Sequence, residues 1–219
     1  MHSYPEKIRP ILLELDEIRP IHQPVMIEEH LVPLFLKHSG YHTILFYPIP
    51  PGALCGMHIS DSETGVARIF YRRCSTHFQK ELVASCPECQ VSRVTMAKEL
   101  VHVLDSEGAR TSIDMAPDML IDLLLKGALA ENAQVHADST AVFWAIEMLA
   151  RFQHRLVQIG GALGPTSALQ SAQSSDNWSL FAAGYAIPYP LAKIAYSANF
   201  MGLAKSMRES MGIPAFSVL

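Results

Sequence analysis

Helical spacing gives way to strand spacing once along this chain, between Tyr41 and Arg72, and that interruption limits what it can fold into. Tyr41 to Pro48 (YHTILFYP) is rich in β-branched and aromatic residues and predicts a strand. Pro50, Pro51 and Gly52 turn the chain, and Leu54 to Ser60 predicts a second strand. The polar run Asp61 to Gly65 predicts a turn, and Gly65 to Arg72 (GVARIFYR) a third strand. Three strands at this spacing predict a small antiparallel sheet.

Helical patterns flank it. Ile8 to Ile18 is a short one closed by Pro20. A second opens at Pro24 and stops at Gly40, with a kink expected at Pro33. From Arg93 the apolar residues Val94, Ala97, Val101 and Leu104 recur at helical spacing. Met119 to Lys126 predicts a short helix behind Pro117, stopped by Gly127. Asn132 to Ile159 predicts the longest helix, with Ala141, Ala145, Leu149, Phe152 and Leu156 on one stripe. Residues 160–177 form a Gly/Ser-rich loop, and residues 178–219 a helical extension broken at Pro188 and Pro190, with a last helix from Leu191 to Met211. The fold class is therefore α+β, a small antiparallel sheet packed on a helical bundle, with residues 1–159 as its main domain.

An apolar fraction of 49% against 17% charged residues describes a well-cored globular chain. A formal net charge of -4 offers no electrostatic reason to bind nucleic acid or an anionic membrane. No basic segment followed by an apolar core opens the chain, so a cytoplasmic protein with reduced thiols is expected. The most apolar stretch, Leu180 to Tyr196, is interrupted by Pro188, Pro190 and Lys193 and is too short to span a bilayer. A nucleophile elbow, a P-loop and a dinucleotide fingerprint are all missing.

The segment Arg93 to Asp105 (RVTMAKELVHVLD) carries the chemistry. Zinc peptidases place H-E-x-x-H on a helix: two imidazoles one turn apart chelate the ion, and the glutamate activates its water. Here the spelling is Lys98-Glu99-Leu100-Val101-His102, with an amine where the first imidazole belongs. On Arg93, Thr95, Ala97, Glu99, Leu100 and His102 the segment resembles the active helix of ImmA/IrrE-type metallopeptidases, R-F-T-x-A-H-E-L-G-H. The order of helix, sheet, active helix and further helices is similar to that family over roughly residues 20–150.

The resemblance implies a zincin-like domain with Glu99 as a vestigial general base and His102 as a metal ligand. It also implies an acidic third ligand on a later helix, where Asp138 to Leu149 (DSTAVFWAIEML) matches loosely. At about 100° per residue Asp138 falls within the apolar stripe, whereas His136 and Glu147 fall opposite. A buried acid needs a partner, which makes Asp138 the candidate. Protonated lysine has no lone pair to give zinc, so little or no zinc and no conventional peptidase chemistry are expected at this site. The Lys98 ammonium is expected either to take the place of the ion and pair with Glu99 or Asp138, or to point into solvent. The resemblance thus implies a non-catalytic or weakly catalytic regulatory protein, acting through a protein partner such as the transcriptional regulators the family implies. The alternatives are a working peptidase that recruits His136 or His154 as a further ligand, and an ordinary helix with a charged outer face.

A second candidate site is made of Cys74, His77, Cys86 and Cys89, spaced C-x2-H-x8-C-x2-C. They are four plausible ligands for structural zinc, although zinc modules usually show two clean pairs of one type. The alternative is scattered thiols in a reducing compartment.

Overall fold

The computed structural model describes residues 4–18, 24–51, 55–78, 81–105, 133–158 and 178–214. The helix expected over Met119 to Lys126 and the loop expected over residues 160–177 lie outside them. The described residues form eight α-helices and one three-stranded sheet, so the class is α+β. They run as α1 (Tyr4–Glu17), α2 (Val32–Ser39), β1 (Thr43–Ile49), β2 (Gly56–Asp61), β3 (Val66–Arg72), α3 (Pro87–His102), α4 (Ala133–Leu149), α5 (Phe152–Gln158), α6 (Trp178–Tyr185), α7 (Tyr189–Ala195) and α8 (Ala198–Ser210).

The sheet is mixed, correcting the antiparallel expectation. Its order is β1-β3-β2, with β3 antiparallel to β2 and parallel to β1. The hairpin explains why. Asp61 accepts hydrogen bonds from the Glu63 and Thr64 backbone N–H groups and from the Thr64 hydroxyl. Gly65 then turns at φ 61, a left-handed conformation that favours glycine. This tight turn makes β2 and β3 neighbours, so β1 is left with the other edge of β3. The Gly65 carbonyl accepts from His42 and Thr43 N–H, which sets the starts of β1 and β3 side by side. Pro48, with no N–H to donate, stands on an edge strand, where it is tolerated.

The kink expected at Pro33 is a turn of π-helix over Ile27–Leu31 leading into α2. Proline cannot supply the intrahelical donor, and the wider turn takes up the mismatch. Gly40 ends α2 at φ 85, as its position predicts. The single long helix expected from Asn132 to Ile159 is two helices, broken between Leu149 and Phe152. At the break Arg151 donates to the carbonyls of Leu15 and Ile18, capping the end of α1. The expected last helix is likewise split, with Ser197 accepting from Phe200 N–H as the N-cap of α8.

Helix α3 is the centre of the fold. It packs against β2 and β3 on one side and α4 on the other. Val94, Ala97, Leu100 and Val101 are fully buried, as are Ala67 and Ile69 from the inner face of β3 and Trp144 and Ala145 from α4. Helix α4 is buried on all sides from Asp138 to Leu149, so its stripe is one of several covered faces. Glu147, opposite that stripe, is buried and paired with Arg155. A central helix covered all round places any polar side chain it carries inside the molecule, where that side chain must find a partner.

Candidate functional site

Two clusters of chemically capable side chains sit on α3, one near its C-terminal end and one at its N-terminus. Near the C-terminal end, Lys98 Nζ lies 2.9 Å from Asp138 Oδ1 and 2.9 Å from Glu99 Oε1. The Asp138 contact is a hydrogen bond, while the Glu99 contact is an ion pair without that alignment. His102 lies one turn along the same helix face. Its Nε2 contacts Asp138 Oδ1 at 3.0 Å and its Nδ1 contacts Asp105 Oδ2 at 2.8 Å. Both ring nitrogens face carboxylates, which when ionised can accept but not donate, so the ring carries both protons.

The electrostatics agree. Burial works against the His102 imidazolium, but bonding to Asp105 and Asp138 and the Glu99 charge outweigh it, and its pKa is pushed up to about 9. Burial likewise raises Glu99, yet the neighbouring His58 ring and the Lys98 and His102 charges hold it below its ordinary range. Asp138 is lowered against burial by His102 and Lys98. Lys98 is raised against burial by the charges of Glu99 and Asp138. The four groups form a charged quartet inside the protein, with Lys98 as the hub cation between the two acids.

The structure therefore brings together Lys98, Glu99, His102 and Asp138, the four residues expected to share a pocket. His154, offered as a further ligand, stands instead beside Arg151, its Nδ1 3.4 Å from the guanidinium. The side chain of His136 lies outside the described residues. Two participants had no place in the sequence expectation. His58 on β2 stacks on His102, ring centroids 5.3 Å apart, with its Nδ1 3.6 Å from Glu99 Oε2. Asp105 lies three residues past His102, a spacing that belongs to no metal motif. Gly56 is the third feature. A Cβ there would come 2.4 Å from Thr95 Cγ2 and 2.8 Å from Glu99 Oε1, so only glycine lets β2 approach α3 this closely.

At the other end of α3, Cys86 is the N-cap in extended conformation, Pro87 follows it into the helix, and Cys89 lies in the first turn. The helix thus begins earlier than Arg93, where the apolar pattern starts. Glu88 reaches back to accept from the Ser75 N–H and hydroxyl, both at 2.8 Å, and ties the loop after β3 to the helix start. This tie brings in Cys74 and His77. The three sulfurs and the His77 nitrogen all lie within 4.8 Å of one another. Cys74 Sγ to Cys86 Sγ is 3.7 Å, and His77 Nδ1 is 3.3 Å from Cys74 Sγ and 3.4 Å from Cys89 Sγ.

A tetrahedral zinc ion sets two sulfur ligands roughly 3.7 Å apart and a sulfur and a nitrogen roughly 3.5 Å apart, given its usual bond lengths. The three short separations match that shape, so this group could hold a metal ion. The thiols are tuned unequally. The Cys89 N–H at the helix start pulls Cys86 down, while burial pushes Cys89 up to about 12.

No protein-family model, no curated protein and no solved structure matches the chain. Among the described residues no helix is long and apolar enough to cross a membrane.

Proposed function

We propose that this chain is a regulatory domain of peptidase-like design that acts by binding another protein, with Lys98 in the role a catalytic ion would take. The observation that carries this is the position of Lys98 Nζ, 2.9 Å from carboxylates on two different helices, with His102 on the same Asp138 oxygen. An ammonium balances the acids as a metal would. It has no vacant orbital to polarise a carbonyl or to acidify a bound water, the two services zinc supplies in hydrolysis. Glu99 would then be a charge partner and not a general base. The ImmA/IrrE resemblance supports the protein partner, a transcriptional regulator being the type it suggests.

The test is restoration. The Lys98→His variant should bind zinc through the introduced imidazole together with His102 and Asp138, and gain hydrolysis of a fluorogenic peptide, while the wild-type chain does neither at this site. Zinc in the wild-type chain that disappears on His102→Ala would defeat the proposal.

A second reading concerns the cysteine cluster and is favoured by the convergence of its ligand atoms. Cys74, His77, Cys86 and Cys89 would hold a structural zinc ion, four protein ligands leaving no open position for substrate. The ion would fasten the exit of β3 to the start of α3 and so hold the central helix in place. The two readings are compatible. Loss of zinc on Cys86→Ser is the expected result, and a metal-free wild-type protein would contradict this second reading.

A further inference from the structure

The cysteines at the start of α3 are unequally open to solvent. Cys74 and Cys89 are buried, whereas Cys86, at the helix N-cap, is half-buried. Cys74 and Cys86 also come from opposite sides of a join. One belongs to the loop after β3 and the other to the helix start, and their sulfurs lie in contact at 3.7 Å. Cys89 stands farther into the helix, its Sγ 3.4 Å from the His77 ring nitrogen. The hydrogen bonds from Ser75 to Glu88 keep Cys74 beside Cys86 through a contact outside the four ligands.

Building on the structural-zinc reading, we propose that Cys86 is a site of oxidation by hydroperoxides, and that its oxidation closes a Cys74–Cys86 disulfide and expels the zinc ion. Thiolates held by zinc have already lost their protons and are the nucleophilic form of the side chain. The Cys86 sulfur attacks one peroxide oxygen: the O–O bond breaks, an S–O bond forms and hydroxide leaves. Cys86 is then a sulfenic acid, oxidised by two electrons. The Cys74 thiolate attacks that sulfur next, so an S–S bond forms, the S–O bond breaks and a second hydroxide leaves. The peroxide has taken two electrons and, with two protons from solvent, has become two waters. The sulfurs have roughly 1.7 Å to close to reach bonding distance.

The ion is left with His77 and Cys89, two protein ligands where a structural site has four. The disulfide takes over its mechanical task, because it joins the same two segments. Oxidation thus exchanges one tie between β3 and α3 for another and frees a zinc ion.

The experiment treats the zinc-loaded full chain with equimolar hydrogen peroxide and follows zinc release with a chromophoric chelator. Trypsin cuts after Lys80, so Cys74 falls on one peptide while Cys86 and Cys89 share another. Mass spectrometry should find these peptides joined through Cys86, and a dithiol reductant with added zinc should reload the site. Cys86→His keeps four zinc-binding side chains and should slow release about tenfold or more, since the accessible thiolate is gone. Cys89→His keeps both reacting thiols and should release zinc as the wild-type chain does. Zinc retained after peroxide, a Cys86–Cys89 bond, or unslowed release from Cys86→His would overturn the proposal while leaving the zinc site standing. A wild-type chain that holds no zinc would overturn the zinc reading and this inference with it.

Discussion

Replacing Lys98 by methionine keeps the length of the side chain and removes its charge, which isolates what the ammonium does. Its side chain is 13% exposed, and Glu99 and Asp138 are 1% and 0% exposed, so water screens this cluster poorly. Without Lys98 the only cation bonded to Asp138 among the described residues is His102, and among them Glu99 keeps no ion-pair partner within hydrogen-bonding distance. Removing one member of a buried ion pair costs about 3–5 kcal/mol, because the partner charge stays buried and uncompensated. For a domain of this size that lowers the melting temperature by roughly 6–20 °C.

The loss should also depend on pH in a particular sense. In the wild-type chain Glu99 and Asp138 are depressed, so their contribution is present above the unfolded carboxylate pKa and fades as pH falls through the folded values. In the variant one of them is raised and takes up a proton, so the gap between variant and wild type narrows from pH 7 to pH 5. Urea unfolding at the two pH values measures both effects. A gap under about 1 kcal/mol, the size seen for an exposed pair, would refute the buried-hub reasoning.

Other consequences follow from the same geometry. The imidazolium of His102 has a pKa pushed up to about 9, above its ordinary value, so its contribution is complete below the ordinary pKa and is lost as pH rises through 9. Stability should fall from about pH 6 to about pH 10 by on the order of 3 kcal/mol, a fall that His102→Gln should remove. A flat profile in the wild-type chain would count against the charged ring. Gly56→Ala should cost about 1–3 kcal/mol in urea unfolding, since its methyl group would overlap Thr95 and Glu99, and a neutral result would mean that β2 lies farther from α3.

Much of the Lys98 cluster was legible because helical spacing fixes directions. Lys98, Glu99 and His102 share one helix, and Asp138 stood out as an acid among apolar neighbours. His58 was hidden for the opposite reason. On β2 the residues turned toward α3 are Gly56 and His58, while Ile59 on the other face is 44% exposed. A strand whose small and polar residues face inward inverts the usual pattern, and only the position of α3 explains it. Strand order was also beyond reach, because alternation shows which face is buried and not which neighbour is adjacent. The cysteine spacing was readable, but the early start of α3 at Pro87, which sets Cys86 and Cys89 on one helix end, was not. The apolar period begins only at Val94 because the first turns carry ligand-type and polar residues. The long-helix expectation failed at Arg151, whose hydrogen bonds to a distant part of the chain outweigh local helical preference.

Zinc stoichiometry across three proteins tests the central claim most directly. The account predicts one zinc per wild-type chain after purification from zinc-containing medium, the same in His102→Ala, and none in Cys86→Ser. Metal retained in Cys86→Ser but missing from His102→Ala would put the ion where Lys98 is said to stand, and would contradict it.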